Sequence, residues 1–252
     1  MKPPSAFNPE SRPTLTEEGV TGALARLGDL ERQYRSQRDP RAVFAGAYVV
    51  ITSAMHQALG AQLFLDPPWV ERYLAAFAGL YLDAAQQYDA GPQADDDLVP
   101  PVWRLTFATC REETVSPLTH LLLGVNAHVN RDLAVALVRA GVRDHTDRRY
   151  EDHKRVNDVL RGAVNDLQAS VTADAPVLAR LDTLCGPWDE HVACTVVAWA
   201  RETAWAHAVH LAGAEGETYA RHLDRIERRA YRYALLIKGH PAVWAGPSGT
   251  KG

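Results

Sequence analysis

The chain has 252 residues, 46% hydrophobic and 23% charged, with a formal net charge of −4 at pH 7. That is enough apolar material for an ordinary core, so disorder is not the default. Acidic and basic residues are interspersed, which leaves no basic stripe to follow a phosphate backbone, and nucleic acid is not an expected partner.

Residues 1–13 are rich in Pro, Ser and Asn and read as a mobile N-terminal arm. They lack the apolar run of a signal peptide. Thr14 followed by Glu17 has the form of a capping box and opens a helix to about Arg35; Asp39-Pro40 opens a second, to about Leu63. Within the second, Tyr48, Thr52 and His56 share an i, i+4 ladder, which makes His56 a candidate to touch a substrate. Asp66 before Pro67 is an N-cap with proline at the first helical position, starting a helix through Tyr73, Phe77 and Tyr81 to Tyr88. Asp95, Asp96 and Asp97 follow Gly and Pro, a setting that favours a solvated loop over a cation site.

Ser116-Pro117 caps the next helix, which should end near Gly141, and further helices are expected at about 146–170, 174–185, 188–213 and 216–238. Residues 241–252 read as a flexible C-terminal tail. No stretch alternates like a half-buried strand and nothing repeats at a fixed period. The expected fold is all-α, a compact single-domain bundle of about seven to nine helices over residues 14–240. No window reaches the roughly 18 apolar residues of a membrane span, so a cytoplasmic protein without a span is expected. Cys110, Cys185 and Cys194 form no Cys-x-x-Cys pair and read as small buried hydrophobes.

The stretch from Thr119 to Leu133 is apolar overall, yet it holds two histidines, two asparagines and an aspartate. An unpaired polar group in such a place costs about 2–7 kcal/mol, so these side chains must satisfy one another or do chemistry. His128 and Asp132 are four apart on one face, with His120 and Gly124 on the same ladder. Such a pair can hold a divalent metal, or the Asp can orient the His as a general base. Asn126 and Asn130 form a second pair on another face; they either bind a substrate or pin neighbouring helices. Gly124 and Ala127 are small and leave room for another helix or a ligand.

Downstream, Asp152 and Asn157 are kept as site candidates, while Lys154 and Asp158 read as a surface pair. Glu202 lies on a stripe with His191, Thr195 and Trp205, with Arg201 one step away; it is a candidate acid, base or ligand, or half of an Arg–Glu pair. His207 and His210 have metal-ligand spacing, although a half-exposed helix face is the plainer reading. Nucleophile-elbow, phosphate-loop, dinucleotide and His-Glu-x-x-His motifs are absent.

The run from His120 to Leu133 resembles the signature of the bacterial domain-of-unknown-function family 5995. Asp66-Pro-Pro-Trp69-Val70, Val102-Trp103-Arg104, Asp152 with Val156-Asn157, and Arg201-Glu202 before Ala204-Trp205 are similar to its weaker motifs. The resemblance implies a cytoplasmic, all-helical protein with no assigned reaction. It also implies that His120, His128, Asp132, Asp152 and Glu202 belong to motifs.

The leading expectation is a small-molecule enzyme with its polar site buried among helices. His128, Asp132 and Glu202 would be catalytic; His128, Asp132 and Asp152 would hold a divalent metal for hydrolysis by an activated water. His56, His120, Asn126, Asn130, Asn157 and Trp205 would contact the substrate. One alternative is a cofactor-independent isomerase or cyclase. Another is a non-catalytic protein whose Tyr48, Trp69, Tyr73, Phe77, Trp103 and Trp205 line an apolar ligand pocket. In a third, the motif is a polar core network and function lies at an oligomer interface.

Overall fold

The computed structural model describes residues 15–91, 98–112, 114–144, 148–169 and 190–239. The arm at 1–13, the Thr14 cap, the Asp95–Asp97 loop, the helix expected at 174–185 with Cys185, and the tail lie outside these residues, as do the side chains of His191 and Cys194.

Among the described residues there are eight helices and no strand: α1 (Leu15–Ser36), α2 (Ala42–Gly60), α3 (Pro67–Asp89), α4 (Pro101–Thr109), α5 (Pro117–Arg139), α6 (Arg149–Ala169), α7 (Glu190–Ala212) and α8 (Gly216–Gly239). The chain is all-α, as its periodicity implies. The expected caps form: Asp66 Oδ1 accepts from the Trp69 amide at 3.2 Å, and Ser116 Oγ from the Thr119 amide at 3.1 Å. Past the end of α5, Gly141 takes a left-handed φ of +83°, while its amide bonds the Val138 carbonyl at 2.9 Å.

Two features depart from the sequence reading. Helix α4 was not expected, because nine residues give little periodicity, although prolines at its start are a known opening signal. Helix α5 is not uniform: His128–Asp132 form a π turn, with the Leu133 amide bonded to the His128 carbonyl. Single π turns inside α-helices are often found at functional sites.

Helix α5 is central, packing on α2, α4 and α8 through its first half and on α3 and α7 through its second. Leu123, Leu133 and Leu137 are fully buried along it. The room beside Gly124 is taken by a helix rather than a ligand, since a Cβ there would collide with the Phe44 ring of α2. The reading that no stretch is long and apolar enough for a membrane span also needs correction. Helices α2 and α5 are long and apolar enough to qualify, with mean hydropathy 1.4 and 1.3, though 44% and 61% of those stretches are buried inside the fold. Core helices of a bundle pass the same test, because Ala, Val and Leu raise the mean while isolated polar residues barely lower it.

Candidate functional site

The π turn places His128 and Asp132 side by side in the core. Asp132 is fully buried, and its Oδ2 accepts from His128 Nδ1 at 3.1 Å and from the Trp103 indole at 2.7 Å, while Oδ1 accepts from Arg131 Nη1 at 2.8 Å. Arg131 also reaches Glu227 of α8 at 3.0 Å, and Glu227 accepts the Val102 amide at 2.9 Å. One buried carboxylate thus ties together α4, α5 and α8.

Burial pushes the Asp132 carboxyl up, but the hydrogen bond from His128 and the Arg131 charge outweigh it and hold the pKa below its ordinary value. Burial pushes the His128 imidazole below its ordinary value, with Asp132 opposing. The pair is therefore a carboxylate and a neutral imidazole at pH 7, and Nδ1 carries the proton because the carboxylate can only accept. His128 Nε2 is buried and has no hydrogen-bond partner among the described residues.

Aromatic rings surround the imidazole. Trp69, Tyr73 and Phe77, one turn apart on α3, stack with centroids 5.5 and 6.1 Å apart, and Phe77 lies on the His128 ring. Tyr48 meets His128 edge-on at 4.5 Å. These residues, expected to line an apolar pocket, pack on one another instead, and Trp205 closes the far end against Trp69 at 6.3 Å.

A second polar cluster occupies that far end. The buried Arg201 donates to Asn157 Oδ1 at 2.6 Å, the Tyr73 hydroxyl at 3.1 Å and the His153 carbonyl at 2.9 Å. No carboxylate pairs with it among the described residues, so the Arg201–Glu202 pair does not form. Glu202 instead accepts the Tyr150 hydroxyl at 2.6 Å, a bond that pushes the Tyr150 pKa up to about 12. Burial and the Arg201 charge hold His153 well below its ordinary pKa, as a neutral ring.

Several assignments change accordingly. Asp152 is buried, but each of its oxygens accepts a backbone amide at 2.7 Å, from Leu65 and Asp66, so it clamps the turn between α2 and α3. Its hydrogen bonds run to the backbone of residues 65 and 66, and none joins it to His128 or Asp132. Among the described residues, no three His, Cys, Asp or Glu side chains stand together as a metal site needs. Asn126 donates to the Ala230 carbonyl at 2.9 Å and accepts from Asn130 at 3.1 Å, which makes the pair a tie between α5 and α8. His56 is exposed. Lys154 pairs with Glu151 at 2.7 Å rather than with Asp158.

His120 is buried, with Nδ1 3.5 Å from Cys110 Sγ, beside a cavity of ≈10 Å³ that Arg41, Phe44, Tyr81 and Trp103 also line. That holds one water at most. Burial pushes the Cys110 thiol up to about 12, so it stays protonated and packs as a small hydrophobe. Sequence reasoning missed Arg131 and Glu227 as partners in the site, and saw Trp103 only as a ring; the adjacency of Arg131 to Asp132 was the available signal.

A family model described as a family of unknown function (DUF5995) matches residues 20–239. No curated protein and no solved structure matches the chain.

Proposed function

Because the chain belongs to the family of unknown function DUF5995, which lends no reaction, we propose a function from the site itself: cofactor-independent proton transfer on a small, largely apolar molecule. His128 Nε2 is the base, and Asp132 fixes the tautomer and stabilises the imidazolium that forms, as the carboxylate of a hydrolase triad does. The observation that carries this reading is the unpartnered, buried Nε2 of a histidine whose other nitrogen is committed to a carboxylate. A reaction of the isomerase kind fits better than metal-assisted hydrolysis, since Asp152 has both oxygens engaged by amides. The aromatic wall of Phe44, Tyr48, Phe77 and Tyr81 suits an apolar substrate and excludes water. We read α2 and α5 as core helices rather than spans, because Asn126, Arg131 and Asp132 of α5 all find partners within the fold.

A second reading, a purely structural His–Asp strut, is supported by the close stacking of Phe77 on His128 at 3.5 Å. Proton NMR of small apolar ketones and enones in deuterated water separates the two. Proton transfer predicts deuterium incorporation about 10²-fold or more faster with the natural chain than with His128→Gln, unchanged by chelator. Equal rates for both chains leave the strut standing.

A further inference from the structure

The end of α7 and the first half of α8 border an open surface pocket of ≈260 Å³ lined by His210, Ala214, Thr218, Arg221, His222 and Arg225. Four of these side chains are basic and none is acidic. Of the nearby carboxylates, Asp224 is paired with Arg228 at 2.7 Å, and Glu217 stands 3.9 Å from Arg221 in a largely exposed pair. Arg225 has no hydrogen bond or ion pair among the described residues.

Behind the pocket, hydrogen bonds fix which nitrogen of each imidazole carries its proton. Arg229 Nη1 can only donate, so His207 Nε2 accepts from it at 3.1 Å, and His207 must hold its proton on Nδ1. That proton is donated to His222 Nε2, also at 3.1 Å, which leaves His222 with its own proton on Nδ1. His210 donates Nδ1–H to the Ala206 carbonyl at 2.9 Å and stacks parallel to His222 at 5.5 Å. Burial, then the charges of Arg229 and its neighbours, push the His207 pKa down to about 4, which agrees with a neutral relay ring. The ordered relay runs from a guanidinium towards the pocket.

We propose that this pocket binds a small phosphate monoester, with Arg221 and Arg225 supplying the charge and His222 Nδ1–H and the Thr218 hydroxyl supplying neutral donors. A dianion matches two guanidinium groups, and planar guanidinium forks suit phosphoryl oxygens. At ≈260 Å³ the pocket has room for a phosphoryl group and a short organic portion. A divalent metal held by His207 and His210, the other use of this spacing, is opposed by the Arg229 guanidinium on His207 Nε2 and by the surrounding cations.

Calorimetric titration of the full chain with glycerol 3-phosphate, inorganic phosphate, acetate and zinc tests this. The expected result is binding of glycerol 3-phosphate that is tighter than that of inorganic phosphate and at least about tenfold tighter than that of acetate. Arg225→Gln should weaken the ester about tenfold with an unchanged melting midpoint, since the side chain is exposed and unpaired. Arg221→Gln should act alike, and the ester should shift the His222 imidazole resonances. No heat with either phosphate at about 10 mM, an affinity that ignores Arg225, or preferential binding of zinc overturns the proposal. Equal affinity for inorganic phosphate and the ester overturns the ester as the ligand.

Discussion

The imidazole of His128 lies on the ring of Phe77 with centroids 3.5 Å apart and planes 11° from parallel. This contact joins a ring of α3 that has no polar tether to a ring whose Nδ1 is held by Asp132. Any molecule that reaches Nε2 must displace Phe77 or Tyr48, so the proposed chemistry needs a transient opening of the aromatic wall. The Arg201 cluster holds Tyr73 at the hydroxyl, which leaves Phe77 as the less tethered member of the column.

His128→Phe keeps the ring stack and removes both nitrogens, so it separates chemistry from architecture. Loss of the orphaned Nε2 offsets loss of the bond to Asp132, each about 1–3 kcal/mol, and the midpoint should stay within a few degrees of the natural chain while proton transfer disappears. Asn126→Ala removes the tie to the Ala230 carbonyl and the acceptor of Asn130, and should lower the midpoint by several degrees. Thermal melts of both variants decide: a His128→Phe protein that melts far below the natural chain with unchanged activity makes the histidine a strut.

Stability should fall as pH drops below about 6.5. His120, His128, His153 and His222 are held below the ordinary value of 6.5 in the folded chain by burial first, and His207 is pushed to about 4. The unfolded chain then binds more protons than the folded one in the window beneath 6.5, so the stabilisation is whole above that pH and is lost as pH falls through it. Asp132, also depressed, adds a further loss only in the carboxylate range. Melts at steps from pH 7.5 to 5, taken at constant ionic strength, check the sign; a midpoint that rises on acidification contradicts it.

Asp152→Asn should destabilise by about 1–3 kcal/mol, because the amide offers one acceptor where two backbone N–H groups donate and sets its own N–H against the other. Chelator should shift neither protein. If chelator lowers the midpoint of the natural chain but not of the variant, Asp152 is a metal ligand after all.

Gly124→Ala should cost about 1–3 kcal/mol by driving a methyl group into the Phe44 ring. Phe44→Leu in the same chain should recover part of it, giving a coupling energy in denaturant titrations that independent sites lack.

What could be read from the sequence was local. Asp66 and Ser116 cap helices within three residues of themselves, and the His128–Asp132 pair spans one turn, so each was visible as spacing. The hydrogen bonds of Asp152 were not legible because its partners are backbone amides of residues 65 and 66, which no side-chain pattern marks. Trp103 bonds Asp132 from 29 positions away, on a helix too short to show a period. His56 is exposed for a geometric reason: an i, i+4 ladder turns by about 40° at each step, so the face that buries Tyr48 and Thr52 has rotated into solvent by His56.

The π turn at His128–Asp132 amounts to one extra residue spliced into a helix. Deleting Val129 would turn it into an ordinary α-turn, leaving Leu133 and Leu137 facing the core they fill but shortening the His128–Asp132 spacing from four residues to three. Surface loops absorb gained or lost residues with little effect. Between His128 and Asp132 the residue count is itself a structural parameter: a frame-preserving deletion there should spare both halves of the helix and break the pairing of imidazole and carboxylate.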